Sequence, residues 1–155
     1  MRTKQKGFSL IELLIVVAII LIIAAIAIPN LLRAKIAANQ ASAVGSLRTL
    51  NTACIAFSTS YGAFPAALTN LGPVGSGGTA SSTSADLIDS VLSAGTKSGY
   101  TFAFGAGASN QSYTITAKPI TAATTGQNMY FTDQSGVIRV DTSGSGAGAT
   151  STPIG

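Results

Sequence analysis

From Phe8 to Pro29 the chain reads FSLIELLIVVAIILIIAAIAIP, apolar throughout except at Ser9 and Glu12. As a helix rising ~1.5 Å per residue, Phe8 to Ile28 would span roughly 31 Å, the thickness of a hydrocarbon core of ~30 Å. The run is apolar on all sides, so it calls for lipid or for burial all round. After Pro29 the pattern changes. Residues 30–61 are rich in Ala, Leu and small polar residues, with large apolar positions at Leu32, Ile36, Leu47, Leu50, Cys54, Phe57 and Tyr61. The last five recur at intervals of three and four, which predicts a helix with one buried face. Arg48, Asn51, Thr52, Thr59 and Ser60 fall on the opposite face. Phe8 to Tyr61 then forms one helix about 80 Å long, its first half protruding and its second half laid on a globular head. Pro29 has no N–H for its i−4 carbonyl and is expected to bend the helix.

Beyond Gly62 the period shortens to two. Tyr100, Phe102 and Phe104 alternate with small or polar residues, as do Tyr113, Ile115 and Ala117. Strands are predicted over 99–104, 112–118, 128–132 and 137–140. Asp133-Gln-Ser-Gly136 forms the last turn, where Gly takes positive φ. Residues 72–84 read as a surface loop, and Ser84 as the cap of a short helix over 85–93 closed by Gly95. From Thr142 the Gly/Ser/Ala/Thr-rich sequence predicts a flexible tail, 142–155. The fold class is α+β: a long hydrophobic N-terminal helix, its C-terminal half packed on a four-stranded antiparallel sheet.

Charge is scarce, at 9% of residues, with nine Lys/Arg against five Asp/Glu. Arg2, Lys4 and Lys6 lie before the apolar run; without residues 1–7 the balance is six cations to five acids, a net of +1. The basic character therefore belongs to those first residues, and no nucleic-acid partner is implied. With one cysteine, Cys54, no intrachain disulfide is possible. Histidine is absent, so His-based nucleophile pairs and imidazole metal sites are unavailable. Asp133 and Asp141 form a weak pair for calcium, and a turn aspartate needs no metal. No enzyme activity, cofactor or metal is expected. The aromatics Phe57, Tyr61 and Phe64 at the helix exit fit a core far better than an electron path.

Glu12 is the costly residue. A carboxylate near a bilayer centre costs ~2.5–3.5 kcal/mol, and intramembrane acids are functional candidates by default. Its bland alternative is a carboxylate shallow enough to reach the headgroups. Lys6-Gly7-Phe8-Ser9-Leu10-Ile11-Glu12 resembles the type III signal of type IV prepilins and type II secretion pseudopilins. That signal is a basic leader ending in Gly, then Phe, then Glu as the fifth mature residue, all in register here. Pro29 also matches the proline of that family, and Tyr130 to Arg139 is similar to the final hairpin of many pilin-like proteins. An ordinary secretory signal cut at Ala25-Ile26-Ala27 is the rival, but it would leave Glu12 without purpose.

The resemblance implies a leader 1–7 removed by prepilin peptidase between Gly7 and Phe8, and N-methylation of Phe8. It implies a membrane or filament-core half-helix 8–29 and a head 30–141 containing helix 30–61. Glu12 would pair with the Phe8 amine of a neighbouring subunit. The expected function is a structural subunit of a type IV pilus-like filament, a homo-oligomer built at an inner-membrane assembly platform. A type II secretion pseudopilin is the alternative, and a tip adhesin or membrane-anchored binding protein a more remote one. Arg2, Lys4 and Lys6 against Arg33 and Lys35 put the N-terminus in the cytoplasm and the head outside. The subunit would sit in the inner membrane before assembly and in an extracellular pilus, or a periplasm-spanning pseudopilus, after it.

Overall fold

The computed structural model describes residues 7–154. Arg2, Lys4 and Lys6, and with them all of the expected leader but Gly7, lie outside the described residues. The chain divides into two compact units, Met1–Lys35 and Ile36–Gly155. Helix α1, Leu10–Tyr61, contributes to both and is 52 residues long. Its assignment runs unbroken through Pro29. It stops where Gly62 adopts φ 78° and donates its N–H to Ser58 O at 2.9 Å, a conformation open to glycine at no steric cost.

In the second unit the expected four strands are joined by two more. The sheet runs β1 (Thr96–Lys97), β2 (Tyr100–Ala106), β3 (Tyr113–Pro119), β4 (Met129–Asp133), β5 (Arg139–Asp141) and β6 (Thr152–Pro153), in that spatial order. Every neighbouring pair is antiparallel. The alternation read from sequence sets which face is buried. Tyr100 and Phe102 on β2 and Tyr113, Ile115 and Ala117 on β3 are buried, while Thr101 and Thr114 are exposed. Register carries these rows across the sheet: Phe102 pairs with Ala117, Ala117 with Tyr130, and Tyr130 with Val140. The rows join Ala43, Leu47, Leu50, Cys54 and Phe57 of α1 in one core. Burial pushes the Cys54 thiol up to about 12, so it packs as a small apolar group and is no nucleophile. Tyr61, expected to continue the stripe, is instead 38% exposed and stacks at a tilt against Phe57, 4.6 Å between ring centroids.

Asn51 corrects the reading of the helix faces. Expected on the solvent side, it is buried because its amide has partners far along the chain. Its Nδ2 donates to Thr132 Oγ1 at 2.9 Å and to Gly136 O at 3.2 Å, and its Oδ1 accepts from Tyr113 Oη at 3.1 Å. A buried amide left unpaired costs ~1–3 kcal/mol, whereas one this well paired does not. The turn supplying Gly136 is as expected: Asp133 Oδ1 accepts the Ser135 amide, and Gly136 sits at φ 74°.

Two local expectations shift. The short helix α2 is only Ser90–Ser93, capped by Asp89, whose Oδ1 accepts the Leu92 amide at 2.7 Å. Ser84 caps nothing: it pairs with Ser81 across a bridge, and its hydroxyl donates to Pro73 O. The amides of Ala85, Asp86, Leu87 and Ile88 go instead to carbonyls of Asn70, Gly72 and Leu71, so a helical run from 85 is not available to them. Asp89 also meets Lys97 Nζ at 2.7 Å.

The segment 142–155, expected as a tail, contributes a strand. Val140 pairs with Thr152, Ile154 N–H donates to Ile138 O at 2.8 Å, and Arg139 Nη1 donates to Ser151 O. Asp141 organises the return. Its Oδ1 accepts the Ser143 hydroxyl and amide at 2.7 and 2.9 Å, and its Oδ2 accepts the Gly146 amide at 2.9 Å. Those donors, the hydroxyl foremost, hold the Asp141 carboxyl down to about 2, below an unfolded value of ~3.9. A lowered pKa gives stability that is present above the unfolded value and lost as pH falls through the folded one. Protection of the Ser143 and Gly146 amides, taken relative to their intrinsic exchange rates at each pH, should therefore hold from neutral pH to about pH 4 and fall towards pH 2. Loss of that protection already at pH 5 would show that Asp141 does not hold this turn.

Candidate functional site

The candidate site is the segment from Gly7 into the first turns of α1. Gly7, Phe8 and Ser9 precede the helix, and Phe8 is 78% exposed. A Cβ built on Gly7 meets nothing within 4 Å among the described residues. Those residues therefore set no steric need for glycine there.

Ser9 is the N-cap. Its carbonyl accepts the Leu13 amide at 3.2 Å, so Leu10, Ile11 and Glu12 form the first turn. Glu12 then occupies the third helical position, from which a glutamate reaches back to the cap. It does so here: the Ser9 amide donates to Glu12 Oε2 at 2.9 Å. One of the otherwise unpaired N–H groups of the helix start is thereby satisfied, and the carboxylate lies at the positive end of the helix dipole. The signal was present in the sequence as Ser-x-x-Glu before an apolar run, and the reading of Glu12 as an assembly residue overlooked it. The structure brings Glu12 to Ser9; among the described residues it records no hydrogen bond between Glu12 and Phe8.

From Leu13 on, the surface of the run is hydrocarbon. Leu14, Ile20, Leu21, Ile22 and Ile26 are each about 60% exposed, and no residue of its most apolar stretch is buried within the chain. An apolar helical surface of this length marks a membrane or protein contact. Pro29, within the same unit, leaves the Ala25 carbonyl without its usual i+4 donor.

Asp133 Oδ1 and both carboxylate oxygens of Asp141, weighed for calcium, accept backbone amides. No group of three or more His, Cys, Asp or Glu side chains suited to a metal occurs among the described residues.

One comparison with known proteins takes in this segment. Residues 2–28 match the family described as the prokaryotic N-terminal methylation motif. The chain is similar to the type IV major pilin protein PilA of Myxococcus xanthus, 52% identical over 50 residues, which cover 32% of this chain and 23% of that one. It is 65% identical over 37 residues to the type IV wide pilus major component PilA4 of Thermus thermophilus, covering 24% of this chain and 28% of that one. It is 52% identical over 59 residues to the type IV major fimbrial protein FimA of Dichelobacter nodosus, covering 36% and 37%. The matched stretches thus span 23–37% of the relatives' own lengths. No solved structure matches the chain. The prokaryotic N-terminal methylation motif matched by residues 2–28 thus runs into a long apolar helix, and over 24–36% of its length the chain is similar to type IV major pilins.

Proposed function

We propose that this chain is the structural subunit of a type IV pilus-like filament, held in a membrane by the first half of α1 before assembly. The observation that carries the reading is the register of Gly7, Phe8 and Glu12 at the start of an apolar, unburied helix within the matched motif. Neighbouring copies would replace lipid around that helix. Prepilin peptidase would cut after Gly7, the new Phe8 amine would be methylated, and Glu12 would accept the Phe8 amine of an adjoining subunit. A buried carboxylate needs a cation, and residues 8–32 contain no Lys or Arg to supply one. The amine of another copy does so only in correct register. Pro29 would give the helix its bend. The N-terminus would face the cytoplasm and the second unit the exterior. What favours a pilus over a type II secretion pseudopilus is that the relatives are named major pilins and fimbrial proteins.

Processing tests this reading. Mass spectrometry of the mature chain should find Phe8 first, carrying one methyl group. Gly7→Val should leave uncut precursor in the membrane. Since a side chain at Gly7 meets open space, that loss would report on the peptidase and not on folding. A mature chain starting at Ile28 would establish an ordinary signal peptide and remove the filament reading.

A further inference from the structure

The Glu12 carboxylate divides its two oxygens. Oε2 takes the amide of its own Ser9 at 2.9 Å, while Oε1 carries no hydrogen bond among the described residues. From this we infer that the Ser9 backbone amide is a positioning group for assembly: it aims the Glu12 carboxylate at the helix start and leaves Oε1 open to the Phe8 amine of a second copy. The inference rests on the assembly reading above and adds what holds the carboxylate before the partner arrives. In lipid an unpaired carboxylate would search for water at the headgroups. A charge-assisted hydrogen bond to its own helix gives it a fixed direction instead. The arrangement also explains the residue type. Glutamate and glutamine at the third helical position reach the cap amide, whereas aspartate is one methylene shorter.

Two experiments separate positioning from charge. Nitrogen-15 NMR of the full chain in detergent micelles reads exchange of the Ser9 amide proton in wild type, Glu12→Gln, Glu12→Asp and Glu12→Val. Wild type and Glu12→Gln should be similarly slow, with Glu12→Asp and Glu12→Val at least about tenfold faster, the size expected for losing a hydrogen bond to a charged group. Equal rates in all four would overturn the inference. In cells, Ser9→Pro removes the N–H, and cleaved subunits should yield on the order of tenfold fewer filaments. Ser9→Ala, which keeps the N–H, should assemble as wild type. Normal filament yield from cleaved Ser9→Pro would also overturn the inference, and if proline blocks cleavage the exchange rates decide it alone. Failure of the assembly reading looks different: Glu12→Val would then build filaments normally, whatever the Ser9 amide does.

Discussion

Glu12→Val should leave the subunit in the membrane, cleaved after Gly7, and unable to build filaments. Insertion should be unchanged or slightly better, because valine removes a group that costs ~2.5–3.5 kcal/mol near a bilayer centre. Cleavage should persist, since the Gly7–Phe8 junction lies before the helix and Phe8 is exposed. Assembly is where the loss falls. The incoming Phe8 amine would enter an apolar bundle unpaired, and removing one partner of a buried ion pair costs ~3–5 kcal/mol. That lowers a docking equilibrium by about two to four orders of magnitude. Electron microscopy of sheared filaments, beside an immunoblot of cleaved subunit in the membrane, reads both halves. Glu12→Asp should be defective to a lesser degree. Cleaved Glu12→Val subunits assembling at normal yield would return Glu12 to the bland reading, a carboxylate at the headgroups.

Within the second unit, Leu50→Asp should abolish cooperative unfolding. Leu50 is fully buried among α1 and the sheet. Losing its side chain costs ~2–5 kcal/mol in such a site, and the buried carboxylate adds several more. Against a typical domain stability of ~5–15 kcal/mol, little folded protein should remain. Thr52→Asp, two residues on and exposed, should change stability by less than about 0.5 kcal/mol. Asn51→Leu lies between them in sequence but belongs with the core: it strands the buried Tyr113 and Thr132 hydroxyls. At ~1–3 kcal/mol per stranded group, it should cost about 2 kcal/mol or more. Urea unfolding of the three variants checks the set, and a silent Asn51→Leu would show that the network holds nothing.

Much of this fold was legible because the deciding signals are local. The 3–4 spacing of Leu47, Leu50, Cys54 and Phe57 marks one helical face, and the alternation in β2 and β3 marks one sheet face. Asn51 was not legible. An amide can be buried only if its partners exist, and these lie 62 to 85 residues away. The Thr-Pro pair of β6 reads as a strand breaker; it is tolerated because it sits on the sheet's edge, where proline owes no ladder bond on one side. At the candidate site the basic leader, Gly7, Phe8 and Glu12 were readable from the motif. The Ser9 contact is equally local, since Ser-x-x-Glu before an apolar run is the signature of that cap.

The sheet's spatial order, β1 to β6, is also its order in the chain. A polypeptide leaving the ribosome, or emerging on the far side of a membrane, would meet each pairing partner in the strand just before it. No strand has to wait for a distant one, and α1 is already made when β2 brings Tyr100 and Phe102 to it. Low sequence separation between partners goes with rapid folding. The exposed intermediate at any moment has a single growing edge, which shortens the time for pairing with another chain at high local concentration. β5 is covered only when Thr152 and Pro153 arrive, so a chain arrested before residue 150 would leave β5 as an open edge and should aggregate more readily than the full chain.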